Sequence, residues 1–101
     1  MRIRLLAAAF LLGASTLAFA QTDSETQFAA GLAAKNRGHY ATAMRAWLPL
    51  ANSGVFEAQN NMGHMYEEGL GVAQNYTTAM QWYRKAAEQG YANAQYNLGI
   101  M

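Results

Sequence analysis

The chain has 101 residues, with seven Lys and Arg against six Asp and Glu, and no cysteine. The missing cysteine excludes a disulfide framework, thiolate metal sites and a thiol nucleophile. The near-balanced charge leaves no basic footprint for nucleic acid or anionic lipid.

Residues 1–20 read as a signal peptide. Arg2 and Arg4 supply the positive start, Leu5 to Leu12 is an unbroken apolar run, and Ala18-Phe19-Ala20 gives the small-x-small cleavage pattern before Gln21. The uncharged segment from Leu5 to Ala20 is sixteen residues long, short of the roughly 20 that a spanning helix needs. Cleavage removes two of the seven cations and no acid, leaving five against six, a balance of minus one. The expectation is a bacterial periplasmic or secreted protein without a membrane anchor after processing, since a lipid anchor would need a cysteine.

In the remainder, Asp23 or Ser24 can cap a first helix from about Glu25 to Asn36, whose apolar positions are Phe28, Ala29, Leu32 and Ala33. Gly38 stands where a left-handed cap is expected. Tyr40 to Asn52 reads as a second helix with Ala43, Ala46, Trp47, Leu50 and Ala51 on one face. Pro49 removes the amide that would bond the Arg45 carbonyl, so a bend or an early end near Leu48 is expected. A third helix should run from about Val55 to Glu68, with Ala58, Met62, Met65 and Tyr66 inward and Glu57 at the positive end of the dipole.

The glycines of Gly69-Leu70-Gly71 break that helix, and Asn75 caps a fourth, Tyr76 to Gln89. Its broad apolar face holds Ala79, Met80, Trp82, Tyr83, Ala86 and Ala87. From Ala92 the pattern of the third helix restarts and runs to Met101, placing Leu98, Ile100 and Met101 on an open stacking face.

Spacing organises these elements. Thirty-six residues after Ala58, Gln59, Asn61, Met62 and Gly63 come Ala94, Gln95, Asn97, Leu98 and Gly99. The same step back from Tyr76, Ala79, Met80, Ala87 and Gly90 reaches Tyr40, Ala43, Met44, Ala51 and Gly54. A fixed period in this range marks a repeat architecture. The expected fold is all-α, an α/α solenoid of antiparallel helix pairs with about two and a third repeats. Its domain covers residues 21–101, in units of about 25–54, 55–90 and an incomplete 91–101.

Ala58-Gln59, Met62-Gly63, Tyr66, Gly69-Leu70-Gly71-Val72, Asn75-Tyr76, Ala79, Trp82-Tyr83, Lys85-Ala86-Ala87 and Gly90 resemble the Sel-one-like repeat, a helix-loop-helix unit related to the tetratricopeptide repeat. The first unit departs from it: its loop is shortened to around Arg37-Gly38-His39, Ala46-Trp47 replaces the paired aromatics, and Pro49 replaces a lysine. The resemblance implies a scaffold for protein interaction. Ala58, Gly63, Tyr66, Gly69, Gly71, Ala79, Trp82, Tyr83, Ala87, Gly90, Ala94 and Gly99 read as packing positions that every copy needs.

Enzyme chemistry is thinly supported. Gly69-x-Gly71 lacks the strand and the lysine of a phosphate loop, and His39 and His64 form no metal-binding helix motif, so no metal or cofactor is expected. His64 can pair with Glu67 or Glu68, but adjacent glutamates point about 100° apart on a helix, so only one is expected beside it. Recognition falls instead to the polar side of the first helices, with Asn60, Asn61, His64 and Glu67, and later Tyr96 and Asn97. Amides there can hold an extended peptide, or tie one helix to the next. The expected partner is a protein or peptide, with the open stacking face offering self-association. Two rival readings stand: a cell-envelope enzyme or peptidoglycan binder of the cysteine-rich, β-lactamase-like branch, which the lack of cysteine disfavours, and a fragment of a longer repeat protein.

Overall fold

A computed structural model describes residues 23–101; the expected signal peptide lies outside the described residues. Within them the chain forms five helices: α1 (residues 23–36), α2 (Tyr40–Asn52), α3 (Phe56–Glu68), α4 (Tyr76–Glu88) and α5 (Ala92–Ile100). Packing α2 on α3, α3 on α4 and α4 on α5 produces the all-α helical-repeat solenoid that the period implies.

One cap closes each of the first four helices. The amide of the residue after the turn bonds the carbonyl five residues back: His39 to Ala34 at 2.8 Å, Val55 to Leu50 at 3.0 Å, Leu70 to Met65 at 2.9 Å and Tyr91 to Ala86 at 3.3 Å. This 6→1 bond satisfies a carbonyl that the helix end would otherwise leave free. Gly69 and Gly71, at φ 68° and 73°, carry the longer α3–α4 connection through the left-handed region. At its far end the Asn75 side chain accepts from the Thr78 amide at 3.0 Å and starts α4.

The core repeats a single device, an aromatic ring laid on a glycine. A Cβ on Gly31 would run into the indole of Trp47, and one on Gly63 would stand 2.7 Å from the ring of Tyr83 and 3.1 Å from the Ala79 carbonyl. Both aromatics are fully buried, with Met62 and Met65 between the layers. Trp47 also donates its indole N–H to the Phe28 carbonyl at 3.1 Å, and Gln27 donates to the Ala46 carbonyl at 2.8 Å, locking α1 to α2. A second device recurs at the period: Gln59 donates to the Ala51 carbonyl and Gln95 to the Ala87 carbonyl, each at 3.1 Å. Gln59 is buried because its oxygen is also occupied, accepting from Gln89 at 2.8 Å.

Several expectations need correction. α1 already includes Asp23 and Ser24, so neither caps a helix that starts at Glu25. Its inward positions are Phe28, Gly31 and Ala34, while Ala29, Leu32 and Ala33 are exposed. Trp47 accounts for this, because its indole occupies the space a Cβ on Gly31 would need and so draws that side of α1 inward. Pro49 does not end α2 early: the helix runs on to Asn52. Pro49 is on the exposed side, where water can take the Arg45 carbonyl, and burial of Trp47, Leu50 and Ala51 favours continuing the turn.

Candidate binding face

The first helices of successive units, α1, α3 and α5, share one side of the solenoid. Contact between α3 and α5 is direct, since Asn97 donates to the Asn60 oxygen at 3.0 Å. Gly31 precedes Trp47 by sixteen residues and Gly63 precedes Tyr83 by twenty. The four-residue difference is the shorter α1–α2 turn, so α1 aligns with α3 at a step of thirty-two, not thirty-six. On that step Leu32 corresponds to His64, and Lys35 to Glu67.

Of the six residues expected to bind a partner, two are occupied with one another. Asn60 and Asn97, both half-buried, form the tie between α3 and α5. Glu67 accepts from the Tyr83 hydroxyl at 3.2 Å, which fixes one carboxylate oxygen against α4. Asn61 and His64 are half-buried, and Tyr96 is 68% exposed. Of the expected residues, those left open to a partner are therefore Asn61, His64 and Tyr96, with Glu68 beside His64 and Lys35 near enough for its charge to act on it.

Both glutamates accompany His64, against the expectation of one. Ligand atoms of His64, Glu67 and Glu68 all lie within 4.8 Å of one another, because positions three and four residues on straddle the histidine on the same helical face. Burial holds the imidazole below its ordinary pKa of 6.5, helped by the positive charge of Lys35 and opposed by Glu68 and Glu67. The Tyr83 hydroxyl is pushed well above its ordinary pKa by burial, then by the charge of Glu67 and the hydrogen bond to it, and by Glu68.

The Sel1 repeat model matches residues 56–91 and 92–101. These residues are Sel1 repeats, and the stretch they form belongs to the Sel1-like repeat family. A solved Sel1 repeat protein from Oxalobacter formigenes superposes with a TM-score of 0.71 at 35% identity, covering 80% of this chain and 35% of that one. A putative sel1-like repeat-containing protein of Acanthamoeba polyphaga mimivirus is 52% identical over 42 residues, which is 42% of this chain and 8% of that protein. Chitin synthase regulatory factor 3 of Schizosaccharomyces pombe is 42% identical over 48 residues, 48% of this chain and 5% of that protein. The chain thus spans a small part of the curated relatives it matches. Sel1 repeats generally mediate protein–protein interaction.

Lys35 and Leu32 escaped sequence reading because the thirty-six-residue period does not carry across the short first turn. The signal was present in the two glycine-to-aromatic spacings, once the ring-on-glycine contact is known.

Proposed function

We propose that the mature chain is an exported, non-catalytic adaptor that binds a protein or peptide across α1, α3 and α5. The observation that carries this reading is the row of partly exposed, chemically mixed side chains that remains after the internal ties are subtracted: Leu32, Asn61, His64 and Tyr96. An amide and an imidazole offer donors and acceptors to a peptide backbone, while Leu32 and Tyr96 offer apolar contact on either side. That a relative is described as a regulatory factor agrees with a binding role. Export rests on the pattern of residues 1–20 and on nothing else, and makes a periplasmic or secreted setting the place to look.

Affinity capture from the envelope fraction of the native cell, with tagged wild-type chain and with the Asn61→Ala/His64→Ala/Tyr96→Ala variant, tests the binding face. A partner held by the wild type and lost from the folded variant is the expected result; identical captures would sink the reading. N-terminal sequencing should begin at Gln21, and recovery of Met1 on the exported protein would reject cleavage. Assays of nitrocefin turnover and peptidoglycan binding on the mature chain set this reading against an envelope enzyme, with neither expected.

A further inference from the structure

Glu67 and Glu68 stand in the last turn of α3, where free carbonyls make the helix end negative, and that turn holds no basic residue. Two carboxylates there are opposed by the helix dipole. The repeat does not require them either. On the thirty-two-residue step the places of His64, Glu67 and Glu68 are taken in α1 by Leu32, Lys35 and Asn36, so the same helix end there carries a cation that suits it. An arrangement that packing does not need and that the local field opposes points to a positively charged ligand.

The three side chains are grouped to hold one. An imidazole nitrogen and two carboxylate oxygens lie within 4.8 Å of one another. Zinc bonds of about 2.0–2.2 Å put tetrahedral ligands roughly 3.5 Å apart, so closing the set takes only a turn of the exposed Glu68 side chain. Glu67 is already anchored from a second helix. The buried Tyr83 of α4 donates its hydroxyl to Glu67 Oε2 at 3.2 Å, which orients the carboxylate and leaves the other oxygen for a metal. His64 is half-buried, and burial with the charge of Lys35 favours its neutral form, the form that ligates. Two acids less the one ammonium of Lys35 leave a formal charge of minus one for a cation to meet. The nitrogen donor decides the class of ion. Imidazole with carboxylates suits zinc and its transition-metal neighbours, whereas calcium and magnesium take oxygen ligands.

We propose that His64, Glu67 and Glu68 bind a divalent transition-metal ion, zinc foremost, at the C-terminal end of α3, with Tyr83 as the positioning residue for Glu67. Three protein ligands leave a fourth position to water or to a side chain of a bound partner. The site needs α3 and Tyr83 alone. Although His64 also belongs to the proposed peptide-binding row, metal binding does not depend on the adaptor reading and is measured on the chain without a partner.

The test titrates the full chain, cleared of metal by a chelator, with zinc chloride in a calorimeter, and in parallel with magnesium and calcium chloride. One saturable zinc site per chain is expected, with magnesium and calcium weaker by about tenfold or more. His64→Gln and Glu68→Gln should each weaken zinc by about tenfold or more, and His39→Gln should leave it unchanged. Circular dichroism checks that the variants keep their helices. Nuclear magnetic resonance of the ring nitrogens needs no substitution: of the two histidines, zinc should move the His64 signals and leave those of His39 in place. Tyr83→Phe keeps the ring but releases Glu67, so it should weaken zinc by about tenfold and alter the visible spectrum of cobalt bound in its place, which a purely structural role would not do. An unaltered cobalt spectrum would remove Tyr83 from the site. Absence of a saturable zinc site, equal affinity for calcium, or zinc shifts at His39 in place of His64 overturns the proposal. So does a folded His64→Gln variant that binds zinc as the wild type does, since the acids would then gather cations without selecting them.

Discussion

Asn97 donates to Asn60 at 3.0 Å, a contact between residues thirty-seven apart that joins α3 to α5 across successive repeats. Two side chains that suggest a peptide-binding ladder are therefore spent on the scaffold. A neutral, part-buried bond of this kind contributes about 1 kcal/mol net. Asn60→Ala and Asn97→Ala should each destabilise by about that much in urea titrations. The double variant should fall short of the sum by about 0.5–1 kcal/mol, the signature of a shared contact. Full additivity would show that the two residues do not act on each other.

The ring-on-glycine contacts give a further prediction. Gly31→Ala places a methyl group in the Trp47 indole, and Gly63→Ala places one 2.7 Å from the Tyr83 ring beside a carbonyl that cannot give way. Overpacking of this kind costs about 1–3 kcal/mol. Thermal melts of the two variants check it, and an unchanged melting temperature would mean that the ring does not lie on that glycine.

The elements and their order are legible in the sequence where local chemistry and tertiary packing agree. α2 is expected at Tyr40 to Asn52 and found there, because Gly38 and Gly54 punctuate it and Trp47, Leu50 and Ala51 supply a face. They diverge in α1, where Gly31 looks like a weak point by propensity but is the seat of the largest core side chain. The candidate face is harder to read for a related reason. Periodicity reports that Asn61 and Asn97 recur, but whether an amide faces a partner or the next helix depends on a contact thirty-seven residues away. Asn60 bonds Asn97, not its own counterpart Tyr96, and no single-sequence pattern contains that diagonal.

Pro49 offers a test of how far packing overrides local preference. It sits within α2 with its carbonyl accepting from both the Ser53 amide at 3.1 Å and the Ser53 hydroxyl at 2.9 Å. An interior proline costs about 3 kcal/mol, partly offset by a stiffer unfolded chain worth about 0.4–1 kcal/mol. Pro49→Ala should therefore stabilise the protein by roughly 2 kcal/mol, read as a higher urea midpoint with an unchanged slope. A lower midpoint would show that the proline sets a curvature on which the burial of Leu50 and Ala51 depends.

Stability should form a plateau in pH with a different residue at each limit. Tyr83 is fully buried and holds its proton far beyond the ordinary value of 10.0, through burial and the neighbouring Glu67 carboxylate. Unfolded, it loses that proton near pH 10, so its contribution is intact below that pH. As pH rises above it, stability falls by up to about 1.4 kcal/mol per unit. His64 works in the opposite direction. Burial and Lys35 depress its pKa, against the pull of Glu68 and Glu67, so the unfolded chain takes up a proton near pH 6.5 while the folded chain resists. Its contribution is present above that pH and declines as pH drops through the folded value. In urea titrations across both limits, Tyr83→Phe should flatten the alkaline limb alone and His64→Gln should reduce the slope of the acid limb alone. If each variant shifted both limbs equally, the pH dependence would belong to the net charge of the chain and not to these two sites.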